Sequence, residues 1–157
     1  PISAVPDPLP HNPDNGSRDS MAMIGLVLVT HGRLAAEFIA ALEHVVGAQR
    51  NVAAVCIGPE DDMELRRKEI LDAVAKVNEG AGGVVLTDMF GGTPSNISLS
   101  FHREHRVEVV TGLNLPMLIK LTALKEVKSL EELATFIKNY GQRNISVARE
   151  ILPEEGS

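Results

Sequence analysis

Aromatic residues are scarce in this chain. Trp is absent, and one Tyr with four Phe make up 3% of the sequence. Any core must be packed from aliphatic side chains, and no basic stretch interleaved with aromatics offers itself to a nucleic acid. A cationic surplus is also missing. With 21 acids against 15 bases the formal charge is −6, the wrong sign for a phosphate backbone. The single cysteine, Cys56, has no internal disulfide partner, and its place inside the apolar run VAAVCI reads as a buried structural thiol, in keeping with a reducing cytoplasm. Long hydrophobic runs are lacking too. The longest, around Ile24–Val29, has the length of a strand and falls far short of the ~18 residues that span a bilayer, so direct membrane insertion is not expected. No apolar signal-peptide core opens the chain.

What is present is aliphatic and alternating. The 44% hydrophobic content over 157 residues suits one α/β domain with a buried sheet. Residues 1–20, dominated by Pro, Asp, Asn, Ser and Gly, read as a flexible tail or an added leader, with a plausible natural start at Met21–Met23. Residues 21–152 form the expected domain, and residues 153–157 a short C-terminal tail.

Within the domain, Met23–Thr30 is a continuous apolar run, expected as a central strand. Leu34–Gly47 sets Leu34, Phe38, Leu42, Val45 and Val46 at helical spacing. Val52–Ile57 predicts a second strand; Asp61 or Asp62 can then cap a helix to about Asn78, with Leu65, Ile70, Leu71, Val74 and Val77 facing inward. Gly83–Thr87 predicts a third strand, and Pro94 opens a helix after it. Arg106–Thr111 predicts a fourth strand, followed by helices over roughly Pro116–Leu124 and from a Ser129/Glu132 capping box to about Tyr140. The last segment, RNISVAREI, alternates Ile145 and Val147 and is read as a short edge strand. Repeated strand and helix predict a doubly wound, mostly parallel sheet with right-handed crossovers.

In such sheets, sites form at the carboxyl ends of the strands, where strand order reverses. The first strand ends in Thr30, His31, Gly32 and Arg33; the third in DMFGGTPSN, from Asp88 to Asn96; the fourth in TGLNLP, from Thr111 to Pro116. If the first and third strands are neighbours, as in a flavodoxin-like order, His31 and Asp88 face each other. A carboxylate bonded to one imidazole nitrogen fixes the tautomer and frees the lone pair of the other. That prepares a nucleophile or base. Gly91 and Gly92 let backbone amides approach an anion, Thr93 and Ser95 add hydroxyls, and a helix start favours negative charge. Arg33 is a candidate cation. Each feature alone has an ordinary reading as a strand end, turn or cap, and only their joint placement points to chemistry. His44, His102 and His105 make no ligand-spaced cluster, so no metal site is expected. The loop after the first strand lacks G-x-G-x-x-G, which argues against a dinucleotide site.

At IGLVLVTHGRLAAEF, VVLTDMFGGTPSNIS and VVTGLNLPML the sequence resembles the enzyme IIA component of the mannose-type phosphoenolpyruvate:sugar phosphotransferase system, over about Met23–Ile151. The resemblance implies a flavodoxin-like fold with an antiparallel C-terminal edge strand that a homodimer can exchange. It implies that His31 carries the phosphoryl group on Nε2, that Asp88 orients the ring, and that Gly91, Gly92 and Thr93 line the phosphoryl pocket. Asn114 and Pro116 would border that pocket. Thr30 is placed at its border as well, and Ser95 among its hydroxyl donors. Met89, Phe90, Leu113 and Leu115 are candidates for an apolar partner rim.

The implied donor is the phosphorylated carrier HPr, and the implied acceptor an enzyme IIB, here a separate protein because the chain stops at Ser157. No cofactor or metal is required, since backbone amides and a helix start can stabilise the transferring charge. One alternative is a regulatory phosphorylation-state sensor that carries the same phosphohistidine but signals to a regulator protein. A weaker one is a chelatase-like or ligand-binding α/β domain.

Overall fold

The computed structural model describes residues 23–102, 107–124 and 129–154. The elements run β1 (Gly25–His31), α1 (Leu34–Val46), β2 (Val52–Ile57), α2 (Met63–Val77), β3 (Gly83–Thr87), α3 (Thr93–Leu99), β4 (Val107–Thr111), α4 (Leu115–Ala123), α5 (Leu130–Arg143) and α6 (Ala148–Ile151). The strands form one sheet in the order β2-β1-β3-β4, and every neighbouring pair is parallel. The chain goes outward from β1 to β2, then returns past β1 to β3 and β4. Strand order therefore reverses between β1 and β3, the flavodoxin-like arrangement expected, and the carboxyl ends at such a reversal are where these sheets place their sites.

The sheet is covered on both faces, which is why β1 and β3 read as unbroken apolar runs. Period-two alternation still sorts their side chains. Leu26, Leu28, Val84 and Leu86 face a cluster containing Leu42, Leu118 and Ile137 from α1, α4 and α5. Val27, Val29 and Val85 face Ile70 and Val74 of α2, with Phe101 beyond α3. Burial of each such side chain contributes roughly 1.5–3 kcal/mol, so the strand tips are fixed by a rigid base.

Some stripe residues fall elsewhere than their spacing implied. Leu65 is exposed, because α2 meets the sheet only from Ile70 onward. On α1, Leu34 and Val45 are exposed and the inner face is built on Ala35 and Leu42. Asp62 is the cap of α2, accepting the amides of Glu64 and Leu65. Ser129 caps α5 through the Glu132 amide at 3.1 Å.

The C-terminal edge strand is a correction. Among the described residues the sheet has four strands and no antiparallel member. Residues 145–147 are irregular, and Ala148–Ile151 form a single helical turn. Strand alternation needs a neighbouring strand to supply the hydrogen-bond ladder. This chain places none beside Ile145 and Val147, so both stay exposed. Arg106 and His105, and the tail readings for residues 1–20 and 155–157, lie outside the described residues.

Candidate active site

His31 is the last residue of β1, and Asp88 follows the last residue of β3. Pairing of the two strands brings their ends together. Asp88 Oδ2 accepts the His31 backbone N–H at 3.0 Å and meets its Nδ1 at 2.9 Å. One carboxylate oxygen thus fixes both the backbone and the ring of the histidine. With Asp88 ionised, Nδ1 carries the ring hydrogen and Nε2 keeps its lone pair. The His31 side chain is 48% exposed, whereas that of Asp88 is 12% exposed. The arrangement presents an oriented imidazole to solvent over a largely buried anchor.

The turn after β1 is fixed from below. Gly32 has φ of 55°, a left-handed value that costs another residue about 1–2 kcal/mol. Its N–H donates to the Ile57 carbonyl of β2 at 2.8 Å. Thr30 is fully buried, and its Oγ1 accepts the Ala35 amide at 2.6 Å, stitching the start of α1 to the strand. Thr30 therefore lies beneath the site as a support for the turn. Arg33 reaches Glu37 at 3.2 Å, an exposed pair one helical turn apart.

The β3–α3 loop closes over the other edge of the ring. A Cβ on Gly92 would stand 2.7 Å from His31 Cε1 and 2.9 Å from Nε2. Only a glycine lets the backbone approach this closely. The nitrogen with the free lone pair consequently lies against the residue that caps α3. The first amides of a helix have no intrahelical acceptor, so N–H donors are available beside it. Gly91 and Thr93 are exposed next to Gly92, while Ser95 is fully buried. The Ser95 hydroxyl and Asp88 Oδ1 are buried without a hydrogen-bond partner. Of the two expected hydroxyl donors, Thr93 is the one at the surface.

The third loop is tied to the same strand end. The Gly112 and Leu113 amides both donate to the Thr87 carbonyl, at 2.9 and 3.1 Å. Asn114 caps α4 by accepting the Met117 amide at 3.1 Å, and its Nδ2 donates to the Gly141 carbonyl of α5 at 3.1 Å. Its side chain is thus spent on joining two helices. Pro116 follows, partly buried in the first turn of α4. Of the four rim candidates, Met89 and Phe90 are exposed at 53% and 71%. Leu113 belongs to the core, and Leu115 packs partly against it.

Sequence reasoning missed Asp61. Two adjacent aspartates before a helix read as one cap, and the structure gives them different tasks. Asp62 caps α2, while Asp61 Oδ2 accepts the Gly58 N–H at 2.6 Å and Arg66 Nε at 2.7 Å. The Gly58 amide and then Arg66 hold the Asp61 carboxyl below its ordinary range, and Asp61 and Glu69 raise Arg66. The separation of Gly58 from Asp61 was the available signal, since a carboxylate reaching back to a loop amide is a common turn device. Among the described residues, no three His, Cys, Asp or Glu side chains converge as a metal site.

Comparison with known proteins carries this geometry to a family. The profile described as "PTS system fructose IIA component" matches residues 25–138. The chain is 28% identical over 131 residues to the PTS system fructose-specific EIIA component of Bacillus subtilis, covering 83% of this chain and 90% of that protein. It is 29% identical over 129 residues to the PTS system mannose-specific EIIAB component of Escherichia coli K12, covering 80% of this chain and 40% of that longer protein. The solved mannose/sorbose specific IIA subunit from Enterococcus faecalis is similar with a TM-score of 0.70 at 30% identity, covering 84% of this chain and 98% of that one. The matched span contains all four strands and both partners of the His31–Asp88 pair, and the chain belongs to the mannose-type enzyme IIA family of the phosphoenolpyruvate:sugar phosphotransferase system.

Proposed function

We propose that this protein is a phosphoryl carrier that accepts a phosphoryl group from phospho-HPr on His31 Nε2 and passes it to an enzyme IIB in sugar uptake, working in the cytoplasm. The observation that carries this reading is the 2.9 Å contact between Nδ1 and Asp88, with Nε2 left beside Gly92.

The transfer balances simply. The Nε2 lone pair forms a bond to phosphorus as the donor's N–P bond breaks, and the donor ring keeps that bonding pair. The Nδ1 hydrogen stays on His31, and Asp88 offsets the positive charge that develops on the imidazole. Gly91, Gly92 and Thr93 donate to the equatorial oxygens as charge spreads over them. In-line approach requires the donor to press its own histidine against an open site. The exposed Met89 and Phe90 suit the rim of that contact.

The test is incubation with phosphoenolpyruvate, enzyme I and HPr. An acid-labile gain of about 80 Da, one phosphoryl group, is expected for the wild type and is absent in His31→Ala. An unchanged adduct in that variant contradicts the reading.

A homodimer is part of the same proposal. Ile145, Val147, Ile151 and Leu152 are exposed at 74%, 44%, 65% and 62% within one eight-residue stretch. A second copy can cover these side chains. Sedimentation equilibrium is expected to give twice the chain mass, and Ile145→Asp to give a monomer. A monomeric wild type rules the dimer out.

A further inference from the structure

The loop after β2 holds a carboxylate that the transfer mechanism above does not use. The peptide joining Ile57 to Gly58 is gripped at both ends. Its carbonyl accepts the Gly32 N–H at 2.8 Å, and its N–H donates to Asp61 at 2.6 Å. The same Asp61 oxygen takes Arg66 Nε at 2.7 Å, and Arg66 also pairs with Glu69. Gly32 is the residue after His31, and His31 stands opposite Ile57 in the β1–β2 register. The two amides that bracket the His31 Cα are therefore both held. Asp88 takes the amide of His31 itself at 3.0 Å, and the Ile57 carbonyl takes the next one. An ionised acceptor on a peptide N–H polarises that peptide and strengthens the bond its carbonyl accepts.

We propose that Asp61 is a positioning residue for His31, acting through the Ile57–Gly58 peptide to fix the Gly32 amide and with it the direction in which the imidazole leaves the strand. Arg66 in turn holds Asp61 in place. This role rests on His31 being the phosphoryl acceptor. Its physical effect, a restrained Gly32 amide, can be read without any transfer reaction. It is separate from helix capping, because α2 is capped by Asp62. Asp88 sets the tautomer, and Asp61 sets the backbone from which the ring projects. A displacement of the ring by a fraction of an ångström relative to Gly92 is enough to slow an in-line transfer.

The experiment uses the full chain with Asp61→Ala and Asp61→Asn. Asp61→Ala is expected to lower kcat for phosphoryl transfer from phospho-HPr on the order of tenfold, the scale of modest misplacement. KM for the donor is expected to stay unchanged, since Asp61 acts through His31. Amide hydrogen exchange at Gly32, followed by NMR, is expected to quicken in parallel, while the His31 ring keeps its Nδ1–H tautomer. Asp61→Asn keeps an oxygen for the Gly58 amide and is expected to recover part of the rate.

Wild-type kcat in Asp61→Ala, or wild-type exchange at Gly32, overturns the proposal. So does a raised KM with unchanged kcat. If Asp61→Ala does not fold, Arg66→Gln loosens Asp61 while keeping its carboxylate, and slower transfer with faster Gly32 exchange is again expected. Wild-type values of both in Arg66→Gln overturn the proposal as well. An undiminished adduct in His31→Ala would instead sink the acceptor assignment, and the Gly32 exchange result would stand apart from it.

Discussion

The two loops that flank His31 each carry a carboxylate aimed at backbone, and they do different work. On the β3 side, Asp88 touches the histidine itself, binding ring and amide through one oxygen. On the β2 side, Asp61 stands one peptide removed and reaches His31 only through Gly58, Ile57 and Gly32. Asp88 is largely buried and meets the His31 ring, whereas Asp61 is partly exposed and paired with Arg66. The difference teaches that a reactive side chain at a strand end needs two kinds of support. In the proposed mechanism one sets the ring tautomer, and the other sets the backbone it hangs from.

Substitutions that separate these two kinds of support are expected to differ in size. Asp88→Asn keeps the shape but loses the charge that fixes the tautomer. Phosphoryl transfer onto His31 is expected to slow on the order of 10- to 100-fold, the scale on which carboxylate partners of metal-ligating histidines act. The check is single-turnover transfer from phospho-HPr, and an unchanged rate would reduce Asp88 to a turn residue.

Gly92→Ala attacks the same side by sterics. A Cβ there would stand 2.7 Å from the ring, so ring or loop must shift. Transfer is expected to fall on the order of tenfold, with the Nδ1–Asp88 contact preserved in the ring's NMR signals. A wild-type rate would mean that the α3 start does not meet the transferring group.

The β2 side gives the smallest effect, visible in stability against pH. Folding lowers the Asp61 pKa from its ordinary 3.8, chiefly through the Gly58 amide and next through Arg66. The stabilisation is therefore complete above that ordinary value and is lost as pH falls through the lower folded value. Urea midpoints of wild type and Asp61→Asn are expected to differ by a constant small amount near neutrality and to converge at acid pH. A gap that widens on acidification would contradict the assigned direction.

The fold and half of this site were legible in the sequence for a shared reason. β1 and β3 are buried on both faces, so their apolar runs are unbroken and end where polar residues begin. That abrupt ending marks His31 and Asp88 as strand tips. Gly92 was legible because a glycine before Thr-Pro signals a turn into a helix, although its contact with Nε2 needed coordinates. Asp61 left no periodic trace, because its side chain bonds its own loop's backbone, and its three-residue separation from Gly58 was the one signal of it. Asn114 reads as a pocket-border residue and Leu113 as part of an apolar rim in sequence, while the structure has them as a helix cap and a core side chain. The C-terminal alternation at Ile145 and Val147 was visible as a pattern, but a strand is a pairwise object, and one chain does not supply its neighbour.

The central claim is that His31 Nε2 is the phosphoryl acceptor, made so by Asp88. Intact-mass measurement after incubation with phosphoenolpyruvate, enzyme I and HPr tests it most directly. The account predicts one acid-labile phosphoryl group on the wild type, located on His31 and missing in His31→Ala. A phosphoryl group of undiminished yield on the His31→Ala protein would contradict it.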